Sequence, residues 1–114
     1  MPEGKQEVLH GSLTLLVLRT LDTMGPMHGW GIARRIEQMS EGILELNQGT
    51  LYPALLRMQQ MGWISSKWGA SENNRRAKFY AITKSGKKQL AAEAQNWECV
   101  YGIIGRFMKP GATS

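Results

Sequence analysis

Across residues 9–23 the apolar positions step at helical spacing, with Leu9, Leu13, Leu16, Val17, Thr20 and Leu21 on one face. Leu15 and Leu18 widen that face, which predicts a helix covered on more than one side. Gly25-Pro26 ends it. A second helix is predicted over residues 29–39. Ile32, Ala33, Ile36 and Met39 face inward, and Arg34, Arg35, Glu37 and Gln38 lie largely off that face. Gly42 closes this helix, and residues 43–46 read as a short extended piece. Asn47 is suited to cap a third helix, because an Asn side chain accepts an orphan N–H of the first turn. Leu51, Leu55 and Met58 then point inward, and Gly62 ends the helix. Pro53 lies beyond the first turn, where it removes a hydrogen bond; it predicts either a start nearer Thr50 or a bend.

At Trp63 the period changes from helical to alternating. Residues 63–68 and 77–83 read as strands, the second rich in aromatic and β-branched side chains, with Asn73-Asn74 in the turn between them. Thr83 can cap a last helix over residues 84–109, ending before Pro110-Gly111. Within it Leu90, Ala94, Trp97, Tyr101, Ile104 and Met108 alternate steps of four and three, the spacing of a heptad seam. Gly102 and Gly105 each weaken an exposed helix by about 1 kcal/mol relative to Ala, so this helix needs a partner. The predicted fold is mainly α with a small β-hairpin: a winged helix-turn-helix plus a long C-terminal dimerisation helix. Residues 1–8 are expected to form a flexible arm, 9–83 the winged domain, 84–109 the dimerisation helix and 110–114 a disordered tail.

The chain has 114 residues and a formal net charge of +5. That length suits one domain with a modest core, and the charge is unevenly placed. Residues 67–88 hold seven Lys or Arg (Lys67, Arg75, Arg76, Lys78, Lys84, Lys87, Lys88) against Glu72, whereas the segments on either side are close to neutral. The excess is centred on the hairpin, as a phosphate-binding footprint would be; a solvated basic loop is the other reading. Cys99 is the only cysteine, so no disulfide forms within the chain. The chain opens on polar residues and has no apolar run near the length of a bilayer span, which predicts no membrane contact and a cytoplasmic location. His10, His28 and Cys99 are too scattered for a structural zinc site. No nucleophile–base set or phosphate loop stands out, so neither enzymatic activity nor a cofactor is expected.

Several segments together resemble the PadR family of transcriptional regulators. They are Gly11-Ser12-Leu13-Thr14-Leu15-Leu16-Val17-Leu18, Pro26-Met27-His28-Gly29-Trp30-Gly31-Ile32, and above all Gly49-Thr50-Leu51-Tyr52-Pro53-Ala54-Leu55-Leu56-Arg57-Met58. Gly62-Trp63-Ile64 and Arg76-Ala77-Lys78-Phe79-Tyr80-Ala81-Ile82-Thr83-Lys84-Ser85-Gly86 continue the likeness. Trp30 stands where the family commonly has Tyr, and Phe79 precedes Tyr80 where a tyrosine pair is frequent. The resemblance implies a homodimer, joined through the C-terminal helix with help from the first, that binds double-stranded DNA and represses from an inverted-repeat operator. The single C-terminal helix looks like the short-tailed branch of the family.

On this reading Asn47, Gln48, Thr50, Tyr52 and Arg57 line the exposed side of the recognition helix. Gln and Arg are suited to base edges, and the hydroxyls to phosphates. Arg75, Arg76 and Lys78 sit in or beside the wing, where they can meet phosphate or a narrow minor groove. Trp97 resembles the tryptophan with which some short members stack a small planar aromatic effector at the dimer centre; it can equally fill the dimer core. A nonspecific nucleic-acid binder and a winged-helix protein-interaction module remain open alternatives.

Overall fold

The computed structural model describes residues 2–109, with side chains from residue 12 onward. The elements run α1 (Pro2–Met24), β1 (Met27–His28), α2 (Gly29–Met39), α3 (Gln48–Gln60), β2 (Ile64–Ala70), β3 (Arg76–Ile82) and α4 (Lys84–Met108). The strands form one antiparallel sheet in the order β1-β3-β2. No helix among the described residues is long and apolar enough to cross a membrane.

The hairpin strands shift by one or two residues from the expected ones, and three larger features differ from expectation. First, α1 starts at Pro2, so the segment expected to be an arm is helical. Proline is favoured at a first helical position, and Glu3, Lys5, Gln6 and Glu7 are good helix formers; only the apolar stripe waits until Leu9. The expected tail at residues 110–114 lies outside the described residues. Second, the third strand is β1, not residues 43–46. Met27 pairs with Tyr80 and His28 with Phe79. Residues 43–46 form a loop held by side chains instead: Ser40 Oγ accepts the Leu44 N–H at 3.0 Å, and Glu37 Oε1 accepts that of Leu46 at 3.1 Å. Third, Met39 is exposed, so the inward face of α2 is narrower than expected and rests on Ile32 and Ile36.

The α3 start is at Gln48, with Asn47 Oδ1 accepting the Thr50 N–H at 2.9 Å. Pro53 lies inside the helix and is exposed, as is Gly49, whose carbonyl loses its helical partner and faces solvent. The core joins Leu13, Val17, Leu18 and Leu21 of α1 to Leu51, Leu55 and Met58 of α3, with Ile64 and Tyr80 of the sheet closing it.

Helix α4 packs along α1 and is anchored at its start by one set of hydrogen bonds. Gly62 ends α3 with φ +81°, a conformation that suits glycine. The Thr83 hydroxyl donates to the Gly62 carbonyl at 2.6 Å and accepts the Gly86 N–H at 3.0 Å; the Thr83 N–H donates to the Trp63 carbonyl at 3.0 Å. Gly86 is packed against that same carbonyl, and a Cβ there would collide with backbone that cannot swing aside. Leu90, one turn on, is buried in the protomer's own core, so the outward seam of α4 begins beyond it. Lys87 Nζ lies 4.0 Å from Asp22 Oδ1, an exposed pair of little energetic weight. Substituting Gly86→Ala should destabilise the fold by about 3 kcal/mol, the upper end of what overpacking costs. Thr83→Ala should cost about 1–2 kcal/mol through loss of the cap. Urea titration followed by circular dichroism measures both.

Candidate nucleic-acid interface

A groove of about 790 Å³ opens between the first turns of α3 and the hairpin. Gln48 and Tyr52 form the helical wall, Arg75, Arg76 and Lys78 the hairpin wall, and His28, Gly29 and Trp30 the end. Register explains the hairpin wall. Ile64 pairs with Ile82, Ser66 with Tyr80 and Trp68 with Lys78, so these side chains share one face of the sheet. Near its base that face covers the core; farther out, past the core's edge, the same face carries Trp68, Lys78 and Arg76 into the groove. The turn that follows is closed by Ser71 N–H to the Arg75 carbonyl at 2.8 Å, and Asn74 takes the left-handed conformation at φ 59°.

The aromatic side chains hold the cations in place. Arg76 Cζ lies 4.7 Å from the Trp68 ring centre, and Lys78 Nζ 5.9 Å from that of Tyr80. On the opposite rim Arg34 Cζ lies 4.8 Å from the Trp30 ring, which stacks on His28 at 5.8 Å. His28 Nδ1 accepts the Gly31 N–H at 2.9 Å and so caps α2. Such cation–π contacts contribute about 0.5–1 kcal/mol each at exposed sites.

Of the expected contact residues, Gln48, Tyr52, Arg75, Arg76 and Lys78 are gathered around this groove. Thr50 and Arg57 are not. They lie on the other flank of α3, around a hollow of about 160 Å³ floored by Leu13 of α1. Asn47 is exposed, but its side-chain oxygen is engaged in the cap. Tyr52 is 41% exposed and leans over Gly29, where a Cβ would come within 2.9 Å of its hydroxyl. His28, Trp30, Trp68 and Tyr80 were not expected here. Trp68 shares a strand face with Ile64 and Ser66, and the strand pattern does not show whether that position lies over the core or beyond it.

Helix α4 carries a second feature. Trp97 is half-buried and lies 5.5 Å, ring to ring, from Tyr101. Ala94 is exposed, and Tyr101, Ile104 and Met108 continue the stripe at 65%, 51% and 76% exposure, flanked by Phe107 at 84%. Cys99, more often a buried small residue, is exposed here. Among the described residues no three His, Cys, Asp or Glu side chains are grouped to hold a metal.

The model of the PadR-like transcriptional regulator family matches residues 17–92. The structure is similar to that of a transcriptional regulator from Clostridium thermocellum, with a TM-score of 0.81 and 28% identity over 90% of this chain and 99% of that one. It is also similar to a PadR-like transcriptional regulator from Bacillus cereus, with a TM-score of 0.78 and 25% identity over 90% and 97% of the two chains. An uncharacterised protein of Lysinibacillus sphaericus is 25% identical over 92% of this chain and 95% of its own. The chain belongs to the PadR-like family; it is a transcriptional regulator with a winged helix-turn-helix fold, and not an enzyme.

Burial, and secondarily the nearby Tyr52, raise the Tyr80 hydroxyl above the ordinary tyrosine pKa near 10. A raised acid is favoured neutral in the folded state, so its contribution to stability is full below pH 10 and is lost as pH rises through the folded value. Unfolding free energy should therefore fall with increasing pH above 10. Tyr80→Phe should fall less steeply, as urea titrations at pH 9 to 11 would register.

Proposed function

We propose that this regulator represses transcription as a homodimer bound to an inverted-repeat operator in double-stranded DNA. The observation that carries the reading is the groove in which the start of α3 faces three wing cations. Helix α3 would enter the major groove while Arg75, Arg76 and Lys78 meet phosphates at its edge. Thr50 and Arg57 would meet the backbone on the opposite flank. A twofold dimer reads a twofold operator, and the exposed stripe of Tyr101, Ile104 and Met108 supplies a surface for self-association. Trp97, beside Tyr101, is the place for a small planar aromatic effector, should it fit the DNA-free dimer better than the bound one.

If each half neutralises about three phosphates, the log–log slope of affinity against salt is about −5. Arg76→Ala should flatten that slope while leaving sequence preference in place. A nonspecific binder would keep the slope and show no preference among DNA sequences; a protein-interaction module would show neither. Ile104→Asp would bury an unpaired carboxylate at the interface, at a cost of several kcal/mol. Sedimentation should then report monomer, and operator affinity should collapse with it.

The effector reading has its own test. Planar dyes should quench tryptophan fluorescence at micromolar concentration in the wild type and much less in Trp97→Ala, with Trp30, Trp63 and Trp68 as shared background. Equal binding to both proteins assigns Trp97 to packing alone.

A further inference from the structure

The outermost ridge of α3 is almost devoid of hydrogen-bonding side chains. Leu51, Ala54, Leu55 and Met58 are buried, so the line facing away from them is Gly49, Pro53, Leu56 and Gln60, all exposed, with Gly49 and Pro53 also on the rim of the hollow beside Arg57. These step by four, three and four and stack into one stripe. Gly49 has no side chain, and Pro53 offers an apolar ring with no N–H. Leu56 then projects at 56% exposure. Helical side chains lean toward the N-terminus, so Leu56 covers the surface over Tyr52 and Pro53. With no bulk at Gly49, the first turns can lie deep in a groove, and Leu56 becomes the side chain that reaches its floor.

Exposed leucines are common and usually need no explanation. This one is placed differently, because cations bracket it: Arg57 stands on one flank of the same helix, and the wing cations stand across the groove from the other. That charge pattern fits a duplex with a phosphate strand along each side of the helix. On the floor of the major groove the apolar feature is the C5-methyl group of thymine; the remaining base edges are donors and acceptors. A leucine at the centre of the ridge would leave a donor or acceptor unsatisfied opposite any other base.

We propose that Leu56, supported by Pro53, reads the C5-methyl of one thymine in each operator half-site. The proposal rests on the DNA-binding reading above and adds a position-specific base preference to it. The test starts from the duplex that the dimer selects out of a random pool. Each thymine in a half-site is replaced in turn by deoxyuridine, which pairs identically and lacks only the methyl. Binding is measured for the wild type, Leu56→Ala and Leu56→Gln.

One thymine per half-site should respond, losing about fourfold in affinity, the equivalent of one buried methyl, and about 16-fold when both half-sites are changed. In Leu56→Ala and Leu56→Gln the ratio of thymine to deoxyuridine affinity at that position should fall to about one, with circular dichroism unchanged. Selective binding that is indifferent to every deoxyuridine overturns the Leu56 assignment and leaves the DNA reading standing. So does an equal loss on both duplexes in the Leu56 variants, which would make the residue structural. Failure of the wild type to select any sequence overturns the operator reading, and the Leu56 proposal with it.

Discussion

The attachment of α4 to the winged domain turns on the contact of Gly86 with the Trp63 carbonyl, reinforced by the burial of Leu90 in the core beside α1. The end of α3, the start of β2, the end of β3 and the start of α4 all converge there, within one set of hydrogen bonds centred on Thr83. No side chain separates α4 from the turn after α3, and the packing of α4 along α1 adds a second restraint on the direction of the long helix. The angle between α4 and α3 is thus a property of the protomer. In the proposed dimer it would set the separation of two recognition helices, and with it the spacing of half-sites that can be occupied together.

The groove beside α3 depends on the same economy of contacts. The hairpin extends past the core, and its outer half is held by strand pairing and by arginine and lysine lying over aromatic rings. Arg76 over Trp68 has lost part of its rotamer freedom before any partner arrives, which lowers the ordering cost of binding. The closing turn at Asn74 is short, so the cations on the wing stay near the helix wall.

Most of the architecture was legible in the residues because it rests on local chemistry. Asn47 and Thr83 carry cap oxygens, Gly62 stops a helix, and the change of period at Trp63 marks the hairpin. What was not legible depends on where one element ends relative to another. Two residues, Met27 and His28, are too few to show alternation, and only pairing with Phe79 and Tyr80 makes them a strand. Leu90 and Ile104 share a heptad register, but periodicity does not say which body each faces; the first packs inside the protomer and the second outside it. Trp68 shares a strand face with the buried Ile64 but lies beyond the core's edge, which alternation does not reveal. Thr50, Arg57 and Tyr52 all belong to one exposed arc, yet the arc has two flanks, which only the positions of α1 and the hairpin distinguish. Leu56 fits the pattern of neither a core nor a polar face, and its place at the centre of the ridge emerges only once the buried side of α3 is known.

The contact between Tyr52 and Gly29 has a consequence for how such a sequence can change over time. A Cβ at position 29 would sit 2.9 Å from the Tyr52 hydroxyl and 3.0 Å from the ring edge, so the cost of substituting the glycine depends on what occupies position 52. With tyrosine present, alanine at 29 requires the ring to shift; with a smaller residue at 52, the three nearest atoms that the new Cβ would meet are gone. Substitutions at the two positions are therefore expected to have non-additive effects. The coupling joins two positions that stand 23 residues apart in the chain.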